Sequence, residues 1–202
     1  MKIIAIDTSR RRGAVSRSVE TAATAAEAAG AVVERVRLAE LDIRTCTGCG
    51  MCKVAGWCKI EDDLRHLALL IDSAQGVIIG TPSYFRRPEE VTSALLDRIG
   101  RYFADSGQLR LPGMSPREIA PRPVAANTRR AVIITACSAP EPLATFFGYT
   151  TGPVRHLRGA LGAGGIRTIG SLAVTGTWRQ AKTPEPERDT ARSLGRILAG
   201  KI

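Results

Sequence analysis

The sequence predicts an α/β protein, a doubly wound three-layer α/β/α sandwich around a five-stranded parallel sheet. Three observations carry this expectation. Five short runs read as strands, over Lys2–Ile6, Ala31–Leu38, Gly76–Gly80, Ala131–Thr135 and Thr168–Val174. Each is followed by a stretch with helical periodicity, and strands alternating with helices build parallel sheets covered on both faces. Several strands end in loops rich in hydroxyls, arginine or proline, at the edge where such folds bind ligands.

The first run, Lys2–Ile6, is rich in isoleucine and reads as a buried strand. The turn after it, Asp7-Thr8-Ser9-Arg10-Arg11-Arg12-Gly13-Ala14-Val15-Ser16, leads into an alanine-rich helix over Val15–Ala29 that stops at Gly30. A loop at a helix N-terminus offers free N–H groups and the positive end of the dipole. With the hydroxyls of Ser9 and Ser16 and three arginines, this turn is a candidate phosphate cradle, or else a solvated basic turn. It lacks the Gly-Lys-Ser/Thr of a Walker loop and the three glycines of the dinucleotide fingerprint.

Ala31–Leu38 alternates, with Val32, Val33 and Val36 β-branched, and reads as the second strand. Glu61-Asp62-Asp63 places carboxylates at the start of a helix running to about Ser73, with Leu64, Leu67, Ala68 and Ile71 on one face. His66 on this helix and His156 on a later one read as ordinary helix residues. Gly76–Gly80 is a central strand that ends in Thr81-Pro82-Ser83-Tyr84-Phe85-Arg86. Pro88 then opens a helix through about Tyr102, with Val91, Leu95 and Ile99 as its inner stripe. Residues Ala104–Arg130 hold four prolines and little periodicity, and read as a long excursion, either covering a neighbouring subunit's site or disordered. Ala131–Thr135 ends in Ala136-Cys137-Ser138 at the ligand-binding edge, and Phe146, Phe147 and Tyr149 follow in a loop. A helix over Pro153–Ala163, the strand Thr168–Val174 and a helix over Glu185–Ala199, with Ala191, Leu194 and Ile197 facing in, complete the order.

The chain has 202 residues and 44% hydrophobic content, enough for one domain with a proper core. No apolar run reaches the ~18 residues of a membrane span. The stretch Met1–Asp7 is too short for a signal-peptide core and ends in an acid, so a cytoplasmic location is expected. The net charge is +10, but lysine occurs only at Lys2, Lys53, Lys59, Lys182 and Lys201, and the arginines are spread along the chain. Aromatic residues make up only 4%, too few for a base-stacking platform. The charge therefore points to anionic cofactors rather than nucleic acid.

Four of the five cysteines, Cys46, Cys49, Cys52 and Cys58, lie in one C-x2-C-x2-C-x5-C stretch. Four soft thiolates this close in sequence are the donor set of an iron–sulfur cluster, of the [4Fe–4S] kind. Gly48 and Gly50 let the backbone wrap tightly around such a site. A reduced thiol loop without metal, a zinc site and a disulfide pair are the alternatives. In a reducing compartment the density of thiols favours metal or redox use over structural disulfides. Cys137 stands apart and reads as a small core or cofactor-facing residue.

Three of these stretches resemble the NAD(P)H-dependent FMN reductases. Ser9–Ser16 is similar to their phosphate loop, Gly80–Phe85 to their G-[ST]-P-x-Y motif, and Val91–Arg98, ending in Leu96-Asp97-Arg98, to the helix that follows. The cysteine stretch with Glu61-Asp62-Asp63 resembles the iron–sulfur flavoprotein branch. The resemblance implies a flavodoxin-like fold with FMN at the switch point of the sheet. It places Ser9, Arg11, Ala14, Val15 and Ser16 at the phosphate, Thr81, Pro82, Ser83, Tyr84 and Phe85 along the ribityl chain and ring, and Ala136, Cys137 and Ser138 on the ring's other side. It also implies NAD(P)H as electron donor, a [4Fe–4S] cluster on the four clustered cysteines, a small-molecule or protein acceptor, and a homodimer or homotetramer. Thr8 and Arg10 stand where the family has glycine and proline, and Ala14-Val15 where it has Asn-Thr. Phosphate binding then leans on backbone N–H groups, Ser9, Ser16 and Arg11. Three other readings share parts of this evidence. They are a flavin dehydrogenase or quinone reductase without a cluster, an electron-transfer or redox-sensing module without turnover, and a basic nucleic-acid binder with a zinc knuckle.

Overall fold

A computed structural model describes residues 1–55, 58–103, 129–179 and 183–202. The excursion read over Ala104–Arg130 lies almost wholly outside the described residues.

Five strands run parallel: β1 (Lys2–Asp7), β2 (Val32–Arg37), β3 (Gly76–Tyr84), β5 (Arg130–Ala136) and β6 (Arg167–Val174). Their spatial order is β2-β1-β3-β5-β6. A two-residue strand, β4 (Arg87–Pro88), pairs antiparallel with the end of β3. The order reverses direction once, between β1 and β3, and this makes the carboxyl ends of those two strands the switch point of the sheet. The parallel register sets Asp7 of β1 opposite Arg37 of β2 and Gly80 of β3. Thr81 and Pro82 lie opposite Thr135 and Ala136 of β5.

The strands are continuous apolar runs because both faces of the sheet are covered. Ile4, Ile6, Val77, Ile79, Ala131 and Ile133 face one layer, formed by α3 (Leu64–Ser73), α4 (Glu90–Phe103) and α6 (Thr151–Ala163). Ile3, Ala5, Ile78, Val132, Ile134, Leu172 and Val174 face the other, formed by α1 (Ala14–Ala28) and α7 (Glu185–Gly200). Leu64, Leu67, Ala68 and Ile71 make the inner stripe of α3, as their spacing requires. On α7 the expected inward Ile197 is exposed, and Leu198 takes its place in the core beside Ala191 and Leu194. The stripe on that helix runs 191, 194, 198, the 3-then-4 step of an α-helix, whereas 191, 194, 197 drifts off the face.

Short elements without a periodic signature complete the chain: α2 (Met51–Ala55) inside the cysteine stretch, and α5 (Leu143–Phe146) after β5. Phe146 thus ends a helical turn rather than lying in a loop. No helix among the described residues is long and apolar enough to cross a membrane.

Candidate functional site

Parallel strands deliver all their carboxyl-end loops to one edge, and the site is built there. The turn after β1 enters α1 at Ala14. The amides of a helix's first turn have no partner within the helix, and here they open beside the ends of β1 and β3. The approach of α1 to β3 is close. A Cβ at Gly80 would lie 2.3 Å from Val19 Cγ2 and 2.8 Å from Val15 Cγ1. Val15, expected near the phosphate, therefore has its side chain in the core, and only its amide is left for a ligand. Ala14 is buried likewise.

Ser9 and Ser16 come together as expected, but around a protein carboxylate. The Ser9 and Ser16 hydroxyls lie 2.9 Å apart. Ser9 Oγ donates to Asp7 Oδ1 at 2.5 Å, Ser16 Oγ donates to Asp7 Oδ2 at 2.6 Å, and the Ser9 amide adds a third bond to Oδ1 at 3.0 Å. Asp7 itself is only 6% exposed. Arg10 turns to Glu89, with Nε 2.8 Å from Oε1 of that buried carboxylate. Arg11 and Arg12 are exposed at the loop's tip. Sequence reading missed both Asp7 and Glu89. The available signal was position: an acid closing β1 directly before a phosphate-type loop, and an acid opening the helix after the second loop.

The second loop divides into buried and open residues. Thr81 is fully buried, and its hydroxyl lies 3.2 Å from that of Thr92 and accepts the Glu89 amide at 3.3 Å. Thr92 Oγ1 in turn donates to Thr8 Oγ1 at 2.6 Å, which ties the two loops together. Thr81 is thus a strut between the loops rather than an open ligand contact. Ser83 Oγ is buried with no hydrogen-bond partner among the described residues, an orphan hydroxyl on the segment expected to line the cofactor. Tyr84 and Phe85 project into solvent, Phe85 at 87% exposure. Phe85 and Arg86 form the two-residue turn between β3 and β4, with φ of +47° and +69°. Non-glycine residues hold left-handed φ at a cost of ~1–2 kcal/mol each, a pattern concentrated at functional sites. The turn is seated on α6: a Cβ at Gly152 would fall 2.2 Å from the Arg86 carbonyl oxygen, so only glycine admits the contact.

At the end of β5, Ala136 and Cys137 are buried and Ser138 is exposed. Cys137 bridges strand ends: its amide donates to the Val174 carbonyl at 2.9 Å, and its own carbonyl accepts the Thr177 amide at 3.2 Å. Burial, reinforced by the Glu141 charge, pushes its thiol above the ordinary range. Phe146, Phe147 and Trp178, beyond β5 and β6, add further exposed aromatic surface at this edge.

The cysteine stretch leaves the same edge after β2. Gly48 and Gly50 both hold left-handed φ, +68° and +70°. Cys46 and Cys49 are exposed, and Cys52 and Cys58 are half-buried. Among the described residues, no three His, Cys, Asp or Glu side chains are grouped closely enough to hold a metal ion. The base of the stretch, however, is fastened firmly. Arg98 of α4 donates 2.7 Å to the Arg44 carbonyl, pairs through both terminal nitrogens with Asp62, and reaches Cys58 Sγ at 3.4 Å. Asp62 also accepts the amides of Arg44 and Leu64 at 3.0 and 3.2 Å. Burial pushes the Asp62 carboxyl up, but the Arg98 pair and these two amides outweigh it and hold it below the usual carboxylate value. One ion pair thus grips the chain both before Cys46 and after Cys58.

Residues 1–126 match the NADPH-dependent FMN reductase family. The chain belongs to that family. Its membership supports FMN as cofactor and oxidoreductase chemistry. Among curated relatives, an iron-sulfur flavoprotein of Methanocaldococcus jannaschii is 35% identical over 99 residues, covering 48% of this chain and 51% of that one. An iron-sulfur flavoprotein of Archaeoglobus fulgidus is 31% identical over 93 residues, covering 46% and 42%. The chain thus spans about half the length of the curated relatives it matches. Among solved structures, a flavone reductase superposes with a TM-score of 0.73 at 17% identity, over 99% of this chain and 62% of that one, and this likeness supports the flavodoxin-like fold.

The residues present fit a flavin along most of its length. The orphan Ser83 hydroxyl and the exposed aromatic side chains suit its chain and ring. At the phosphate end the fit is weaker, because the Asp7 carboxylate already holds the two serine hydroxyls. For a cluster, the donor set is chemically apt: four thiols, two left-handed glycines and a buried guanidinium beside one sulfur.

Proposed function

We propose that this protein is an NAD(P)H-dependent flavin oxidoreductase of the iron–sulfur flavoprotein type, passing electrons from reduced nicotinamide to a small-molecule or protein acceptor. One observation carries the reading. The Arg98–Asp62 pair fixes the four-cysteine stretch at the edge of the sheet that also bears the phosphate-type loop and the Thr81–Phe85 segment. The curated relatives that share this half of the chain are named iron-sulfur flavoproteins, which supports the same assignment.

A bound flavin supplies the hydride and electron chemistry, so the chain needs no acid–base constellation of its own. Its residues bind, orient and shield. The α1 amides of Ala14, Val15 and Ser16, with Arg11, would hold the anionic end. Pro82, Ser83, Tyr84 and Phe85 would line one side, and Ala136, Cys137 and Ser138 the other. Cys46, Cys49, Cys52 and Cys58 would hold the cluster. The excess positive charge attracts a phosphorylated nicotinamide. The aromatic side chains left open at the edge support a homodimer or homotetramer in which a second copy covers them.

Anaerobically purified protein tests the proposal. Flavin absorption on a broad shoulder, with iron and acid-labile sulfide present, is the expected result. Protein that stays colourless after addition of flavin refutes it. Flavin bands without iron or sulfide refute the cluster half and leave a flavin reductase with a thiol loop.

A further inference from the structure

We infer that the loop between β1 and α1 takes a flavin without selecting for its 5′-phosphate, and that Asp7 is the residue responsible. The inference rests on the flavin reading above and concerns the same site.

A serine hydroxyl carries one proton. Ser9 and Ser16 spend theirs on the two oxygens of Asp7, at 2.5 and 2.6 Å. What the two side chains then present to a ligand is lone pairs, and lone pairs accept; they repel a phosphate dianion. If the hydroxyls turned outward to donate to a phosphate, they would strip a carboxylate that is 6% exposed. Among the described residues, Asp7 would keep only the Ser9 amide at 3.0 Å and the Arg37 guanidinium at 4.0 Å. A buried charge that loses its hydrogen bonds is costly, and a second anion beside it adds repulsion. Either arrangement removes the contribution that the two serine hydroxyls would otherwise make to binding the ester.

The loop's positive charge is offset in the same way. Arg10 is spent on Glu89, whose remaining oxygen, Oε2, is buried and unpartnered among the described residues. That oxygen is a second acceptor near the loop, suited to a hydroxyl group and not to an anion. The exposed Arg11 and Arg12 and the α1 amides still attract a phosphate. A neutral polyol end is suited by the serine lone pairs and the free carboxylate oxygen. The chemical class that fits is therefore a flavin ending in a free hydroxyl, accepted on a par with the ester.

The test is equilibrium binding, followed by quenching of flavin fluorescence, with riboflavin and FMN titrated into flavin-free wild-type protein, Asp7→Ser and the near-isosteric Asp7→Asn. The wild type is expected to favour FMN over riboflavin by less than about tenfold. Asp7→Ser removes both carboxylate oxygens and Asp7→Asn removes the charge and one of the two acceptors, and both are expected to raise the FMN preference, Asp7→Ser by about tenfold or more, through tighter FMN binding at unchanged riboflavin affinity. A wild-type preference for FMN above that threshold overturns the inference, as does an unchanged ratio in a variant with a wild-type circular dichroism spectrum and melting point. Binding of neither flavin to any of the three proteins overturns the flavin reading itself, and the inference with it.

Discussion

Removal of the Arg98 guanidinium should unfasten the cysteine stretch and cost the whole domain. In Arg98→Leu, the Asp62 carboxylate stays where it is, with its side chain fully buried. It keeps the two amides of Arg44 and Leu64 but loses both guanidinium bonds, and the Arg44 carbonyl loses its donor. Breaking a buried pair by deleting one partner costs ~3–5 kcal/mol, because the other charge is left uncompensated. At 1 kcal/mol per ~2–4 °C for a domain of this size, Tm should fall by about 6–20 °C. Urea denaturation of the flavin-free protein measures the change directly. Arg98→Leu combined with Asp62→Leu should recover part of the loss, since no charge remains buried, while the Arg44 and Leu64 amides and the Arg44 carbonyl still lose their partners. The pH dependence supplies a separate check. Asp62 is held below its unfolded value, so its contribution is fully present above that value and is lost as pH falls through the folded one. The stability gap between wild type and Asp62→Asn should therefore narrow from about pH 4 downward. An Arg98→Leu protein within about 1 kcal/mol of wild type would show that the pair behaves as an exposed one, and the argument for a clamp would fail.

Three further outcomes follow from individual contacts. Gly80→Ala forces a methyl to within 2.3 Å of Val19 and 2.8 Å of Val15, and should destabilise by ~1–3 kcal/mol in urea melts while lifting α1 off β3. Phe85→Gly relieves a residue held at φ +47° and should raise stability by up to ~1 kcal/mol while weakening flavin binding in a fluorescence titration; a loss of stability would show that the turn is not strained. In native metal-free protein, a thiol reagent at pH 7.5 should modify Cys46, Cys49, Cys52 and Cys58 quickly. Cys137, buried and with its thiol pushed up by burial and Glu141, should react only slowly until the pH passes the ordinary thiol range.

The parallel strands were legible because burial on both faces leaves an unbroken apolar run, as in Val77-Ile78-Ile79 and Val132-Ile133-Ile134. The helices were legible from their stripes. The error at Ile197 arose because two apolar residues are adjacent, Ile197 and Leu198, and repeating the step of three picks the wrong one, whereas the helical period needs a step of four after Leu194. The open half of the second loop was legible, since Pro82, Tyr84 and Phe85 follow a central strand directly. Its buried half was not: Thr81 reads as a ligand hydroxyl, and only the tertiary fold shows it bonded to Thr92. The bonding roles of Asp7 and Arg98 were hidden for the same reason, although Asp7 stood in a telling position and Arg98 closed a motif-like helix. Each acts through partners far along the chain or around a turn, and a single charged residue carries no periodic signal.

Helix α4 joins the two parts of the site. Glu89, in the turn that opens it, holds Arg10 of the first loop, and its carbonyl accepts the Ser93 amide at 2.9 Å, so it moves with the helix. Arg98, further along, holds Asp62 and Cys58 of the cysteine stretch. Nine residues of α-helix separate the two grips, about 13–14 Å along the axis at 1.5 Å per residue. The Ala94 and Leu95 side chains between them, and Ile99 just beyond Arg98, are buried in the core, so this stretch of helix is packed along its length. The separation between Arg10 of the first loop and the base of the cysteine stretch, at Asp62 and Cys58, is therefore bridged by a packed helix. A first loop that departs from the family pattern at Thr8, Arg10, Ala14 and Val15 is thus still tied, through Glu89 and α4, to the base of the cysteine stretch. If the first loop and the cysteine stretch hold a flavin and a cluster as proposed, this packed helix would keep the spacing between the two centres constant.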